Sequence, residues 1–225
     1  TAIQEDVRAI GISSYNGGHV EFFSSVVKAL RKEGAGDISV FGGGGGTITA
    51  DDDRQMRKNG VERIFFAGTP LDEMISFIKT TYAKPGKNGA TDGMKCSDRE
   101  ISKMLTSGKS PAKNGRSVPP VIGFTGPGGA GKTTLIDEFV RRYLQKNPGH
   151  RIAILSHDPS IIGNGALLGD RATMVYSQDD RVFMRSLATR GAAGGLAPET
   201  EKCLKVMRGC PFDLVIVETV GIGQE

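Results

Sequence analysis

The stretch GPGGAGKT, from Gly126 to Thr133, brings together the residue types that bind phosphate groups. Its spacing of glycine, four residues, glycine, lysine and a hydroxyl residue is that of the phosphate-binding loop of nucleotide-binding proteins. Glycines allow successive backbone N–H groups to converge on phosphate oxygens, and the following helix adds the positive end of its dipole. Lys132 would supply a charge to the β- and γ-phosphates, and the Thr133 hydroxyl is an oxygen ligand suited to Mg²⁺.

Two acidic residues end apolar stretches that read as buried strands. Asp158 closes RIAILSHD, and Glu218 closes DLVIVE. In an open parallel sheet the ligand crevice lies beyond the carboxyl ends of the strands, so both carboxylates would face the phosphates. Lys132, Asp158 and Glu218 are therefore the candidate catalytic residues, and Asp170 lies on a loop that could close over the nucleotide. A structural role for Glu218 is the alternative, because acids at strand ends also cap helices.

A run of five glycines, Gly42 to Gly46, lies within VFGGGGGTIT. Each glycine loses more conformational freedom on folding than any other residue, so such a run is costly unless the structure needs it. It could be a flexible tether, or a place where a ligand presses against bare backbone. The second alternative is favoured because the run lies between a clear strand and a clear helix with no spare length.

Strands and helices alternate on both sides of these motifs. In the first part VRAIGISS, DISVFGG and VERIFFAG indicate strands, and a stretch with apolar residues at helical spacing follows each of them. A second alternating unit begins near Pro120 with VIGFTG and ends with DLVIVETVG. This pattern predicts an α/β fold with parallel strands and crossover helices. The predicted domains are 1–83 and 119–225, and a basic linker rich in glycine and proline, with one short helical segment, separates them at 84–118.

Composition excludes several classes of protein. The chain has 225 residues and a net charge of +4, and the stretch 84–118 holds eight Lys or Arg against three Asp or Glu. The basic excess therefore belongs to the linker, and nucleic-acid binding is not expected. No apolar stretch approaches the length of a membrane helix and no secretory signal is recognisable, so no membrane partner is expected. Three cysteines without a CxxC pair favour a reducing cytoplasm.

The two ends of the sequence suggest a piece of a longer protein. The chain begins with Thr1, without an initiator methionine, and it stops at Glu225 just after an apolar strand. We therefore expect a fragment that is truncated at both ends.

Four stretches of the second unit resemble the G-proteins that chaperone cobalamin-dependent acyl-CoA mutases: GGAGKTTLIDE, SHDPS, GALLGDRATM and DLVIVETVGIGQ. The resemblance implies a P-loop GTPase that depends on Mg²⁺. The residues that it implies for the nucleotide are Gly126, Gly129, Ala130, Gly131, Lys132, Thr133 and Thr134. The residues that it implies for the metal are Thr133, Asp158, Asp170, Glu218 and Thr219.

The chain departs from these relatives in two places. It has Thr173 where the relatives carry a second arginine after GDR, and it contains no N-K-x-D motif for reading guanine. We expect that motif beyond Glu225. The preference for guanine over adenine therefore follows from the resemblance alone.

The first unit resembles the second half of the flavodoxin-like cobalamin-binding domain of the same mutases, through AIGISSYNGGHVEFF, VFGGGGG and VERIFFAGT. In that domain the nucleotide tail of the cofactor lies in a slot beside the sheet. The residues implied for the tail are Ser13, Ser14, Gly42, Gly43, Gly44, Gly68 and Thr69. His19 is not expected to bind cobalt, because the family takes that ligand from a D-x-H-x-x-G loop and this chain has none.

The order of the two domains resembles the fused isobutyryl-CoA mutases. This resemblance implies adenosylcobalamin, GTP and Mg²⁺, and an isomerisation between isobutyryl-CoA and n-butyryl-CoA in the full-length protein. The acyl-CoA would bind a barrel domain outside this sequence, the GTPase domain would gate cofactor loading through the segment 159–176, and the full-length protein would be a homodimer. The alternatives are a separate GTPase that chaperones a methylmalonyl-CoA-type mutase, and a small-molecule kinase.

Overall fold

The structure is a computed structural model that describes residues 1–82, 96–109, 111, 117–161, 166 and 169–221, without the side chain of Asp170. The chain divides into two compact units. The first comprises Ala2 and Asp6–Asp92, and the second comprises Thr1, Ile3–Glu5 and Gly93–Glu225. Within the described ranges, no helix is both long enough and apolar enough to span a membrane.

The first unit is a parallel three-stranded sheet in the order β1-β2-β3, and a helix follows each strand. This confirms the predicted strand–helix alternation. The strands are β1 (Ala9–Ser13), β2 (Ser39–Gly43) and β3 (Arg63–Phe65), and the helices are α1 (His19–Lys32), α2 (Ala50–Lys58) and α3 (Leu71–Tyr82).

Local sequence explains where these helices form and which face they bury. In α1 the apolar side chains of Phe23, Val27 and Leu30 recur at helical spacing, and all three are buried. α2 begins with a capping box in which Thr49 Oγ1 accepts the backbone N–H of Asp52 and the Asp52 carboxylate accepts the N–H of Thr49. The glycine run thus ends directly at a well-defined helix start.

The glycines at the end of β2 are required by the packing of the chain itself. A Cβ atom at Gly42 would lie 2.0 Å from the carbonyl oxygen of Ile12 and 2.8 Å from the Phe23 ring. At Gly44 it would lie 2.0 Å from the carbonyl oxygen of Ser14, and at Gly43 2.4 Å from that of Phe65. The sequence argument assigned the missing side chains to ligand approach. The structure corrects that reason, because neighbouring backbone already occupies the three Cβ positions.

The second unit contains a four-stranded parallel sheet in the order β4-β7-β5-β6. Its strands are β4 (Val121–Phe124), β5 (Ile152–Asp158), β6 (Val182–Ala188) and β7 (Leu214–Glu218). The helices are α4 (Asp98–Ser107), α5 (Lys132–Lys146), α6 (Gly169–Thr173) and α7 (Thr200–Gly209), and a 3-10 turn covers Tyr176–Gln178.

Alternating residues of β5 and β7 face two different helical layers. Ile154 and Ile216 belong to the core that α5 covers, whereas Leu155 and Val217 belong to the core that α4 and α7 cover. Because side chains alternate along a strand, Ser156 and Glu218 share the α5 face. The register also pairs Ser156 with Glu218 directly.

Helix α4 corrects the predicted linker at 84–118. It begins with a capping box at Ser97, and its side chains Ile101, Met104 and Leu105 are buried in the same core as α7. The residues 96–109 are therefore an integral part of the second unit. Residues 84–95, 110 and 112–116 of the predicted linker lie outside the described residues.

We predict that Gly42→Ala destabilises the first unit by about 1–3 kcal/mol, because the new methyl group would overlap the Ile12 carbonyl oxygen. Gly45→Ala, in the same run, is the matched control. A Cβ atom there would meet only Tyr15 Cβ at an ordinary 3.5 Å, and the effect should stay within about 0.5 kcal/mol. Chemical denaturation measures both variants. Equal stabilities would contradict the packing argument.

Candidate functional site

The phosphate-loop sequence connects β4 to α5 with a backbone that requires glycine. Gly126, Gly129 and Gly131 have φ angles of 150°, 75° and 78°, a region that side chains with a Cβ rarely adopt. Gly131 is the N-cap of α5, so the loop ends where the helix exposes its first backbone N–H groups. The arrangement is the anion-binding geometry that the sequence predicts.

A cavity of about 410 Å³ lies over this loop, at the carboxyl ends of β5 and β7. Seven of the predicted site residues line it: Gly129, Gly131, Lys132, Thr133, Thr134, Glu218 and Thr219. Gly128, His157, Pro159, Val220 and Gly221 complete the lining. Gly126, Ala130 and Asp158 are not part of the lining. The loop, the start of α5 and the segment after β7 therefore surround one cavity.

Glu218 is the buried acid at the centre of this arrangement, with a relative exposure of 2%. The Thr133 hydroxyl donates to its Oε1 at 2.7 Å, and the Ser156 hydroxyl lies 3.3 Å from its Oε2. A buried carboxylate requires such donors, because desolvation penalises its charge. Sequence reasoning missed Ser156. The signal for it was its position two residues before Asp158, on the same face of the strand.

Asp158, the last residue of β5, carries a buried oxygen without a partner. Its Oδ1 accepts the backbone N–H of Ser160 at 2.8 Å, whereas its Oδ2 has no hydrogen-bond partner in the described part of the chain. The same holds for Ser160 Oγ. Buried polar atoms are nearly always paired. The unpaired Oδ2 of Asp158 is therefore a candidate ligand for a cation.

Lys132 is held over the loop by main-chain carbonyl groups. Its Nζ donates to the carbonyl oxygens of Gly126 at 3.0 Å and Pro127 at 3.1 Å. An ammonium group has three donors and a flexible stem, so it can exchange these carbonyls for phosphate oxygens without moving its helix.

His157 is a second residue that sequence reasoning did not use. Its Nδ1 lies 2.8 Å from the carbonyl oxygen of Glu218, and its Nε2 lies 2.7 Å from Thr200 Oγ1. Burial lowers the pKa of His157, which favours the neutral ring. Since a carbonyl oxygen can only accept, the contact with Glu218 places the proton of the neutral ring on Nδ1.

Thr219 and Asp170 are the remaining predicted metal residues. The Thr219 hydroxyl donates to Thr125 Oγ1 at 3.1 Å, and Asp170 belongs to the short helix α6, with its side chain outside the described residues. Among the residues that the structure describes, no group of three His, Cys, Asp or Glu side chains converges on one point.

The first unit has a groove of about 430 Å³ at the carboxyl ends of its strands. Its lining includes five of the predicted cofactor residues: Ser13, Gly42, Gly43, Gly44 and Gly68. Ser14 and Thr69 are not among the lining residues. Aromatic and aliphatic side chains form most of the remaining wall: Phe41, Phe65, Phe66, Met74 and Ile78. The groove is therefore suited to a flat apolar group with polar contacts at its floor.

His19 lies outside this groove lining and has a structural environment. It is 4% exposed, its Nδ1 is 2.9 Å from the carbonyl oxygen of Asn16, and its Nε2 is 3.2 Å from Asp52 Oδ2. The hydrogen bond to the Asn16 carbonyl oxygen, and then the neighbouring Asp52 carboxylate, raise the pKa of His19. These contacts link the start of α1 to the start of α2.

Comparison with known proteins gives matches to both units. A family model described as methylmalonyl-CoA mutase-associated GTPase MeaB matches residues 94–225. The fused isobutyryl-CoA mutase of Cupriavidus metallidurans is 39% identical over 244 residues, which cover 99% of this chain and 22% of that protein. For the fused isobutyryl-CoA mutase of Geobacillus kaustophilus the identity is 38% over 250 residues, covering 99% and 23%.

A third relative matches the second part of the chain. The methylmalonic aciduria type A homolog, mitochondrial, of Mus musculus is 37% identical over 105 residues, which cover 46% of this chain and 25% of that protein. The two fused mutases match nearly the whole of this chain, but the chain spans less than a quarter of their length.

We predict opposite effects of Asp158→Asn on stability with and without ligand. Without nucleotide, the variant should be as stable as the parent or more stable by about 1 kcal/mol, because a buried charge with an unpartnered oxygen becomes a neutral amide. With Mg²⁺ and GTP it should lose most of the stabilisation that the parent gains. Thermal unfolding in the four conditions measures both effects.

The control for this variant is Asp213→Asn. Asp213 accepts the backbone N–H of Arg151 near the beginning of β7, at the opposite end of the sheet. Its response to Mg²⁺ and GTP should equal that of the parent. An Asp158→Asn protein that is less stable alone and keeps the full response would contradict the cation-site interpretation.

Proposed function

The chain belongs to the MeaB family of methylmalonyl-CoA mutase-associated GTPases, and from this premise we propose that its second unit binds GTP with Mg²⁺ at the phosphate loop and hydrolyses it. The observation that carries the proposal is the juxtaposition of Lys132, Thr133 and Glu218 around one cavity. Family membership also disfavours the small-molecule kinase, which the loop alone would allow.

The loop and the start of α5 would bind the phosphates. Backbone N–H groups of Gly129 to Thr134 would donate to phosphate oxygens, with the dipole of α5 behind them. Lys132 would leave the carbonyl oxygens of Gly126 and Pro127 and neutralise charge between the β- and γ-phosphates. These interactions position the γ-phosphate and stabilise the charge that develops on it during hydrolysis.

The acids would organise the metal side of the cavity. Thr133 and Glu218 already share a hydrogen bond, and the open Asp158 Oδ2 supports a cation on that side. The residues that would hold Mg²⁺ are Thr133, Asp158, Asp170, Glu218 and Thr219, directly or through water. When bound, the ion would offset phosphate charge and align the attacking water. Glu218 would orient the Thr133 hydroxyl and accept hydrogen bonds from the water molecules around the site.

For the first unit we propose binding of the nucleotide tail of adenosylcobalamin. Two observations support it: the groove at the strand ends contains Ser13 and Gly68, and similarity to fused isobutyryl-CoA mutases extends through this unit. The open position at Gly68, where a Cβ would meet nothing within 4 Å, leaves room for a ligand. Ser14 and Thr69 remain proposed contacts beside the groove, and Gly42 to Gly44 would contribute backbone to its floor.

For the full-length protein we propose a fused isobutyryl-CoA mutase. It would interconvert isobutyryl-CoA and n-butyryl-CoA, bind the acyl-CoA in a barrel domain, and form a homodimer, while the GTPase unit gates cofactor loading. Similarity over 99% of the chain supports this domain order. The alternative is a separate GTPase that chaperones a methylmalonyl-CoA-type mutase. A cytoplasmic location is part of the proposal, and the free cysteines support it.

Lys132→Ala in the full-length protein should abolish stabilisation by GTP. At a GTP concentration 100 times the dissociation constant, the parent should gain about 2.7 kcal/mol, and the variant should gain almost none. Lys146→Ala, in the last turn of the same helix, is the control and should respond as the parent does. Thermal unfolding of each protein with Mg²⁺ and GTP provides the measurement. An undiminished response of Lys132→Ala would exclude this loop as the phosphate site.

Two measurements separate the fused mutase from the separate chaperone. The purified full-length protein should convert isobutyryl-CoA to n-butyryl-CoA with adenosylcobalamin and no second subunit.

Ser13→Leu, which narrows the groove, should weaken adenosylcobalamin binding at least about tenfold in a spectroscopic titration, because each 1.4 kcal/mol lost is tenfold. Ser25→Leu, on the exposed face of α1, is the control. Absence of conversion and of cobalamin binding would favour the chaperone.

A further inference from the structure

The His157 side chain contacts the end of β7 from the face of the sheet opposite to the phosphate loop. It lies between Leu155 and the strand end on the side that α4 and α7 cover, whereas Glu218 lies on the α5 side. Even so, its Nδ1 reaches the main chain of Glu218 at 2.8 Å. Glu218 is therefore contacted on both faces of the sheet: its main chain by the His157 ring, and its carboxylate by Thr133.

This contact falls at the last register pair of the two strands. Ser156 and Glu218 are the final partners of β5 and β7, and beyond them β7 continues as Thr219, Val220 and Gly221 along the cavity. The Nδ1–H of His157 thus supplies a donor to the carbonyl group from which this cavity segment starts. The position of that carbonyl fixes the direction in which the segment leaves the sheet.

The cavity segment, Thr219 to Gly221, is packed so closely that small shifts matter. A Cβ atom at Gly221 would lie 2.6 Å from the backbone nitrogen of Gly128 in the phosphate loop. The backbone N–H of Val220 donates to the carbonyl oxygen of Gly195 at 3.1 Å. Displacement of the strand end would therefore be transmitted directly to the phosphate loop.

The other nitrogen of the ring is fixed by the first turn of α7. Thr200 Oγ1 lies 2.7 Å from Nε2 and 2.6 Å from the carbonyl oxygen of Ala197. Both His157 and Thr200 are buried, with 2% and 6% exposure. A buried histidine needs a partner for each ring nitrogen, and here one of the two partners is the main chain of the candidate catalytic strand end.

We propose that His157 is a positioning residue for GTP hydrolysis, which fixes the end of β7 and thereby the Glu218 carboxylate and the cavity segment relative to bound nucleotide. This inference rests on the proposed GTPase function of the second unit. Thr200 serves as the anchor that orients the ring, in the way that an outer hydrogen-bond partner orients a ligand of a catalytic site.

Two conservative variants test the hydrogen bonds separately in the full-length protein. Asn places an amide N–H near the position of Nδ1, so His157→Asn keeps the donor to the Glu218 carbonyl. Gln places its amide near the position of Nε2, so His157→Gln keeps the contact with Thr200 and loses that donor. The steady-state rate of GTP hydrolysis is measured as a function of GTP and of Mg²⁺ concentration.

His157→Gln should lower kcat by about 10- to 100-fold and raise the Mg²⁺ concentration for half-maximal rate, as loss of an outer-sphere partner does. His157→Asn should recover most of the rate. Thr200→Val should give a smaller loss, because the ring keeps its bond to Glu218. His150→Asn is the control: His150 bonds to the Tyr143 hydroxyl, away from the cavity, and its variant should hydrolyse GTP as the parent does.

Equal kcat and equal Mg²⁺ response in the Asn and Gln variants would overturn the positioning role, since a packing role does not distinguish the two amides in this way. The thermal midpoints of the nucleotide-free variants show whether folding is retained. Failure of the proposed function gives a different result: the parent itself would hydrolyse no GTP. Normal hydrolysis by the parent with no loss in His157→Gln would refute the inference and leave the GTPase proposal intact.

Discussion

The hydrogen bond between the Thr133 hydroxyl and the buried Glu218 carboxylate is the interaction on which the second unit depends. It joins the first turn of α5 to the end of β7 at 2.7 Å. A buried carboxylate is costly unless donors surround it, and the donors to Glu218 come from the loop helix and from β5, so its burial requires these elements to stay together. The same acid therefore stabilises the phosphate loop and defines the side of the cavity where a cation would lie.

Much of the architecture followed from sequence because local signals agreed with the global fold. Apolar strands followed by helices predicted two parallel sheets, which the structure contains, and the phosphate-loop spacing predicted the candidate site. The residues that were missed, Ser156 and the His157 side chain, have no motif of their own. Spacing within β5 places Ser156 on the same face as Asp158, but its pairing with Glu218 and the reach of the His157 ring depend on the register between β5 and β7, which is non-local.

The same limit explains the two corrections. Helix α4 was assigned to a linker because basic, glycine-rich sequence flanks it, yet Ile101 and Leu105 are buried against α7, about 100 residues later in the chain. The glycine run was interpreted as a ligand contact. In the structure, however, Gly42 and Gly44 lie so close to carbonyl oxygens of β1 and of the loop after it that a Cβ atom would not fit. Glycine thus has two meanings in this chain. In the phosphate loop it allows positive φ angles, and at the end of β2 it allows backbones to approach each other closely.

The strand order has a consequence for how the protein is made. β4 pairs with β7, which follows β5 and β6 in the sequence and lies between β4 and β5 in the sheet. During synthesis β4, α5, β5 and β6 leave the ribosome before their central partner exists, and the gap in the sheet closes late through contacts that are distant in sequence. Nucleotide affinity would then arise only when β7 has been inserted. GTP would bind completed molecules and not the nascent intermediates.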